Sequence, residues 1–422
     1  MLALSCFSTS FVKEQNNEVL AQPYVETVKY RNLVIDLGNG IRTNAQFTYP
    51  ALEGGNGTFP AVLLLTGSGA NDMNETGGYI RIDNQTGSRI YPSTSFFQTA
   101  EYLSERGFAT LRYDKRGIGT NHTILDSNVW GNVTIDDLKQ DADKALAVLM
   151  QQPEVDSSNI SILGHSEGTT LAPRVAIDNP DKVKNIVLMG ALAQNMTEIL
   201  SFQTVTLPVL YAKEVLDKNH NGSLSVQEAS QDQVFQALIG GNITLILTEN
   251  LPNGTELLKS EYNLNNDAYI HIDTELKPAL EAHSKSFFSP SSSDSSGKCT
   301  NLEGCPIYER SFLAFEPNIN IISKVPSTTS ILILQGENDT ATPLQEAFLL
   351  QQRLTEIRHP DHTLITYPNL GHNFYPSSQW QTSQGPIEEY VLRDVYLWLE
   401  SHSGFTSATN TTSLLSSANV VS

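Results

Sequence analysis

Ser166, Asp339 and His372 have the residue types, and the order along the chain, of a nucleophile, an orienting acid and a base. Ser166 stands in Gly164-His165-Ser166-Glu167-Gly168, which follows the strand-forming run Asn159-Ile160-Ser161-Ile162-Leu163 and precedes a helix-compatible stretch starting at Thr169. A serine on so sharp a strand-to-helix turn needs small residues on either side, and the turn pushes its hydroxyl out where a base can reach it. A serine hydroxyl is a weak nucleophile until an imidazole takes its proton, and the imidazole needs a carboxylate to fix its orientation. Asp339 lies in a short polar loop after the apolar run Ile331-Leu332-Ile333-Leu334. His372 closes Tyr367-Pro368-Asn369-Leu370-Gly371, on the loop after the next apolar run. Each of the three comes just after a strand, where loops gather at the carboxyl edge of a parallel sheet.

Competing assignments are few. Glu337 is the alternative acid, but strand alternation and the Gly336-x-x-Asp339 spacing favour Asp339. Of the nine histidines, His165, His271, His283 and His362 lack the strand-end context of His372. Acyl transfer also needs donors for a developing oxyanion. Leu63-Leu64-Leu65-Thr66-Gly67-Ser68-Gly69 is an apolar strand running into a glycine-rich loop, so the expected donors are the backbone amides of Ser68 and of Glu167, the residue after the nucleophile. The alternative is a plain glycine turn.

A second constellation runs from Asp217 to Glu228: Asp217-Lys218-Asn219-His220-Asn221-Gly222-Ser223-Leu224-Ser225-Val226-Gln227-Glu228. Oxygen-bearing residues fall at positions one, three, five and nine, glycine sits at the tight turn of position six, and a glutamate stands at twelve, as in an EF-hand calcium loop. The expected ligands are Asp217, Asn219, Asn221, the carbonyl of Ser223, Ser225 and Glu228, between helices at Leu207–Leu216 and Val226–Leu238. With two charged ligands the loop suits millimolar rather than micromolar calcium. Read as a single loop, it stiffens its surroundings rather than sensing the ion; the alternative is a degenerate, metal-free loop.

The elements that must position these residues alternate between strand and helix. Apolar runs bounded by turn signals occur at Phe59–Thr66, Ala109–Tyr113, Ile160–Leu163, Asn185–Met189, Ser330–Gln335 and Thr363–Tyr367, with amphipathic stretches at Ile135–Met150, Leu344–Leu354 and Ile387–Leu399. Such alternation implies an α/β fold with a doubly wound, mostly parallel sheet. The rhythm breaks from Asn195 to Tyr308, so residues 196–309 are expected to form an inserted, mainly helical cap, including the Ser-rich run 289–297. The core is then 23–195 and 310–402, with an N-terminal tail or signal remnant over 1–22 and a disordered tail over 403–422.

Composition narrows the partners. The chain has 422 residues and a net charge of −20, from 26 Lys plus Arg against 46 Asp plus Glu, which disfavours nucleic acid and anionic membranes. No run is long enough to span a bilayer. Of three cysteines, Cys6 stands alone, while Cys299 and Cys305 bracket a short loop and are expected to form a disulfide; two free thiols in a reducing compartment are the alternative. Twelve Asn-x-Ser/Thr sequons point the same way, to an extracellular or cell-surface glycoprotein, with a cytoplasmic location the alternative.

With these motifs in hand, the chain resembles the α/β-hydrolases of the esterase and serine-peptidase type over about 45–195 and 310–402. The resemblance rests on Thr66-Gly67-Ser68-Gly69-Ala70, Asp114-Lys115-Arg116-Gly117 and Gly164-His165-Ser166-Glu167-Gly168. Thr66 departs from the histidine usual in the first of these, which alters loop shape but keeps the amides. Asp114 and Arg116 are read as structural. The resemblance implies a serine hydrolase working through an acyl-enzyme, with no organic cofactor and a small-molecule ester as substrate. A short peptide is the second choice, with Glu167 at the rim to meet a substrate ammonium. A calcium-stabilised binding protein on an inactive hydrolase fold is the alternative of another class. Oligomeric state is left open.

Overall fold

In a computed structural model of the chain, residues 27–51, 57–83, 87–239, 248–250, 256–267, 269–287, 302, 304–404 and 419–421 are described. Every residue of Phe59–Leu65 and Ala109–Tyr113 is buried, as expected of strands covered on both faces, where continuous apolar runs replace alternation. These two strands pair in parallel, and the parallel set continues through Val155–His165, Val183–Met189, Ser330–Gly336 and His362–Tyr367. The result is the mostly parallel α/β sheet expected from the alternation, in the α/β-hydrolase fold that the motif resemblance implies.

Side chains leave this sheet in two directions. Leu63, Ile162 and Ile333 join a core closed by helices Ile135–Met150, Gly168–Asp178 and Leu344–Glu356. Their sequence neighbours Val62, Leu163 and Leu332 join a second core under helices Ser95–Ser104 and Glu389–Ser403. The longest of these helices, Ile135–Met150, starts with a capping box in which Thr134 and Asp137 satisfy each other's backbone amides; such a cap stabilises by about 1 kcal/mol. Arg116 then fastens the turn after Ala109–Tyr113 to this helix through Asp141, at 2.6 and 2.7 Å. Asp114 accepts the amide of Met73 at 2.7 Å. Both residues are therefore in structural contacts.

Two parts of the sheet differ from the sequence-based expectation. An antiparallel hairpin, Val28–Gly38 and Ile41–Pro50, precedes the parallel strands and pairs with Ala109–Tyr113. Its outer strand leaves Tyr30 and Val34 exposed, so it carries no buried run for a pattern search to find. At the other edge, Asn419–Val421 pairs antiparallel with His362–Tyr367. The expectation of a disordered tail over 403–422 is corrected at those three residues, which satisfy part of an otherwise unpaired strand edge.

Residues between 205 and 280 build a core of their own, which includes Tyr211, Leu224, Phe235, Ile270 and Leu276. It rests on a helical run from Met196 to Leu216, interrupted by two π-helical stretches. Cys305, Tyr308 and Phe312, by contrast, pack with the main core. Cys6, Cys299, the Ser-rich run 289–297 and the sequons at Asn56, Asn84, Asn242, Asn253 and Asn410 lie outside the described residues. No described helix is long and apolar enough to cross a membrane.

Candidate active site

The strand Val155–His165 delivers the chain into the turn at Ser166, whose φ is +52°. That left-handed backbone is costly for a residue with a Cβ and is kept only where the surroundings enforce it. Here they do. A Cβ on Gly164 would lie 2.2 Å from the carbonyl oxygen of Gly168, and one on Gly168 would lie 2.1 Å from that of Leu65. The amide of Ser166 donates to Met189 on the adjacent strand at 2.9 Å, which pins the turn to the sheet.

The structure brings Asp339 and His372 together. His372 Nδ1 donates to Asp339 Oδ2 at 2.8 Å. Asp339 is buried, and every other donor around it favours a carboxylate: the amides of Ala341 and Thr342, the Thr342 hydroxyl and Gln335 Nε2, each at 2.8 Å. Burial pushes its pKa up, but the attraction and hydrogen bond of His372, together with the Thr342 donors, outweigh that and hold it below the usual carboxylate range. The alternative acid is turned away, since Glu337 accepts from the Thr366 hydroxyl at 2.9 Å. Gly190, at φ +62°, lets the His372 loop approach; a Cβ there would meet the imidazole at 3.0 Å.

Ser166 and His372 line one cavity of about 1000 Å³ together with Ser68. Ser68 lies on the loop 66–71, which is fastened from three sides. Gly67 N donates to Glu75 Oε1 at 2.5 Å, Lys115 Nζ donates to Gly67 O at 2.5 Å, and Asn71 Nδ2 donates to Gly67 O and Ser68 O. Glu167 heads the helix Gly168–Asp178, where backbone amides are left without intrahelical acceptors. Among the described residues, neither the Ser68 nor the Glu167 amide has a protein acceptor.

The side chain of Glu167 corrects an expectation. It is fully buried rather than at the rim, paired with Lys115 at 2.8 Å and accepting the Tyr308 hydroxyl. A carboxylate so committed has nothing to offer a substrate ammonium. Burial and the Glu167 charge hold Tyr308 well above its ordinary pKa, so the phenol stays a donor. Lys115 was legible as part of the Asp-Lys-Arg-Gly turn, but Glu75 and His122, in loops, and Tyr308, in the short helix Pro306–Leu313, which also border the cavity or its supports, belong to no recurring pattern. The histidines set aside in the sequence separate here: His271 contacts Ser223 and Asp267 in the cap and His362 contacts Thr355, whereas His165 lies against His372.

The calcium-type loop has the turns of its kind. Asp217 Oδ1 and Asn219 Oδ1 both accept the amide of Asn221, at 3.0 and 3.1 Å, and Asn221 Oδ1 accepts that of Ser223 at 2.9 Å. Gly222 takes φ +78°. Glu228 is turned back in a capping box with Ser225. Oxygen donors of this kind suit calcium, although among the described residues no three His, Cys, Asp or Glu side chains gather as a ligand set. The donors here are mainly amide, hydroxyl and carbonyl oxygens.

Nor does the loop stand alone, which corrects the single-loop reading. Ser223–Ser225 pairs antiparallel with Tyr269–His271, Leu224 opposite Ile270. The stretch before Tyr269 repeats the same turns: Asn263 Oδ1 and Asn265 Oδ1 accept the amide of Asp267 at 3.1 and 3.2 Å, and Asp267 Oδ1 accepts that of Tyr269 at 3.0 Å. Glu275 Oε2 accepts the amide of His271, as Glu228 Oε2 accepts that of Ser225, both at 2.8 Å. Glu275 comes one residue later than Glu228 does in its loop, and the π-helical turn Ile272–Leu276 holds the extra residue. That offset, with Asn263 at position one and Ala268 where the first loop has Gly222, hid the second loop from the pattern.

The sheet order, the strained serine turn and the carboxylate–imidazole pair define a class. The chain belongs to the α/β hydrolase fold family, whose pattern matches residues 60–378. Over 150 residues it is 32% identical to the esterase EstD of Thermotoga maritima, a match covering 35% of this chain and 31% of that protein, so the chain spans under a third of the relative's length. Among solved structures, the proline iminopeptidase of Mycobacterium smegmatis is 15% identical with a TM-score of 0.46, covering 88% of this chain and 99% of that one. Est1E of Butyrivibrio proteoclasticus, solved with ferulic acid, is 14% identical with a TM-score of 0.45, covering 88% and 100%. Likeness at that level says nothing of substrate.

Proposed function

We propose that the chain is a serine hydrolase that cleaves carboxylic esters. Ser166 Oγ attacks the ester carbonyl while His372 takes its proton and passes it to the leaving alkoxide. Asp339 keeps the proton on Nδ1 of His372, so that the other ring nitrogen is the base. The amides of Ser68 and Glu167 receive the oxyanion, and water then hydrolyses the acyl-enzyme through the same base. The observation that carries this reading is the 2.8 Å bond from His372 Nδ1 to a fully satisfied Asp339, beside a serine held at φ +52° on the same cavity.

An ester is preferred to a peptide because the residue invoked to meet a peptide's ammonium, Glu167, is spent on Lys115 and Tyr308. No lysine or arginine lines the described part of the cavity, and beside the polar Gln203, Thr204, Ser284 and Glu309 its wall carries an apolar stretch of Met196, Ile199, Leu200 and Phe312. Neutral acyl groups fit that apolar stretch. The test is a panel of p-nitrophenyl esters beside aminoacyl-p-nitroanilides: ester kcat/KM is expected to exceed that for every anilide by about 10²-fold or more. Faster cleavage of an anilide would replace the esterase reading with the peptidase one.

The reading extends to calcium in the cap, held by Asp217, Asn219, Asn221, Ser223, Ser225 and, once released from its cap with Ser225, Glu228. The ion would supply charge and rigidity to the cap, not chemistry. Saturating the site at 100 times its Kd stabilises by about 2.7 kcal/mol, so millimolar calcium should raise the melting midpoint over that in chelator, and the Asp217→Ala variant should not respond. Equal midpoints in wild type would remove the site. A Cys299–Cys305 disulfide is supported by the buried, disulfide-bonded state of Cys305, and with the sequons it favours an extracellular location.

A further inference from the structure

His165 precedes the nucleophile, and its buried ring has an acceptor at each nitrogen. Nδ1 lies 3.0 Å from Glu75 Oε1, and Nε2 lies 3.1 Å from the carbonyl oxygen of His372. A neutral imidazole has one N–H and one lone pair, so in either tautomer one of these contacts would set lone pair against lone pair. A ring with both nitrogens protonated satisfies both. We infer that His165 is an imidazolium at neutral pH and that the Glu75–His165 ion pair is a positioning device, bracing the His372 loop and the oxyanion loop against the serine turn. This rests on the serine-hydrolase reading of the same site.

The bracing is visible in the connections. Glu75 Oε1 also accepts the amide of Gly67 at 2.5 Å, next to Ser68. One carboxylate oxygen and one ring therefore join three loops: 67–68, which carries an expected oxyanion donor; 165–166, which carries the nucleophile; and 372, which carries the base. Nothing else among the described hydrogen bonds links the backbone of the His372 residue to the serine turn. The titratable groups facing His165 are Glu75 from the loop before the cavity, His372 from the base loop and Asp339 beyond it. Burial works against the charge on His165, but attraction to Glu75 and the bonds to Glu75 and His372 outweigh it and raise the pKa. Burial likewise opposes ionisation of Glu75, and His165 with the Gly67 amide outweighs it and lowers the pKa. The signs fix a window. The Glu75 contribution is present above its ordinary 4.5 and fades as pH falls through its lowered value; that of His165 is present below its ordinary 6.5 and fades as pH rises through its raised value.

Two measurements on the full chain decide the matter. With ¹⁵N-labelled histidine, the resonance that disappears in His165→Asn should show both ring nitrogens protonated at pH 7 in the wild-type protein. A ring with one bare nitrogen would overturn the inference, whatever the enzyme turns over. Glu75→Gln, which keeps size and an acceptor but not charge, is expected to lower kcat by about 10- to 100-fold through misplacement of the reacting groups, with KM within about twofold because glutamine keeps the size of the Glu75 side chain in the cavity wall. It should also bring the alkaline limb of the rate profile to lower pH, a shift that loss of packing alone would not produce. Wild-type kcat and an unmoved alkaline limb in a folded Glu75→Gln protein would refute the positioning role. Absence of any hydrolysis by wild type would instead sink the esterase reading, and the nitrogen spectrum would still decide the charge on His165.

Discussion

Ser166→Ala is expected to lower kcat on the best ester of the panel by about 10⁶-fold, with little change in KM. The loss follows from removing the only atom that forms the covalent intermediate. What is left is whatever acceleration the Ser68 and Glu167 amides give to attack by water, about 10³- to 10⁴-fold over the uncatalysed reaction. Stability should hardly move. Alanine meets the same φ of +52° with the same Cβ, and the serine amide keeps its bond to Met189. Initial rates together with a thermal melt check both halves. A variant that keeps more than a few per cent of wild-type kcat would mean that another group is the nucleophile.

Asp339→Asn is expected to cost about 10⁴-fold in kcat. The carboxylate accepts from His372 Nδ1 and from four further donors at Ala341, Thr342 and Gln335. An asparagine supplies one oxygen and one NH₂ to that ring of donors. If the NH₂ faces His372, the imidazole must turn its lone pair to it and loses the tautomer in which the far nitrogen is the base; if it faces the loop, two donors oppose each other. Either arrangement leaves a buried polar group unsatisfied, so stability should fall by about 1–3 kcal/mol. Because the Asp339 pKa lies below its ordinary 3.8, its contribution is present above that pH and is lost as pH falls through the lowered value. The stability gap between wild type and variant should therefore narrow in acid, which denaturation midpoints across pH 2–6 would test. A gap that widens in acid would contradict the ionised assignment.

Much of this site could be read from the sequence because its parts sit where periodic structure ends. Buried parallel strands such as Phe59–Leu65 and Ser330–Gly336 advertise themselves as apolar runs, and the residue after each is placed by the strand. Ser166, Asp339 and His372 were legible for that reason. The supports were not. Glu75 and Tyr308 reach the site from loops or short helices whose course depends on tertiary packing, and His165 looked like an ordinary histidine until the structure set it between Glu75 and His372. Glu167 shows the reverse error: its position in the serine motif was informative about its amide, but only packing against Lys115 and Tyr308 reveals where its carboxylate goes. In the cap, the pattern found Asp217 to Glu228 and missed 263–275, which starts with Asn263, has Ala268 where the first loop has Gly222, and absorbs one additional residue in a π-helical turn.

The central claim is that one serine, activated by His372, forms a covalent bond to substrate. Its most direct test is to treat the protein with a fluorophosphonate and locate the adduct by peptide mass spectrometry. The account predicts a single phosphonylated peptide carrying the label on Ser166, formed rapidly in wild type, very slowly in His372→Ala and not at all in Ser166→Ala. A label on another residue, or an unlabelled wild-type protein that still hydrolyses esters, would contradict it.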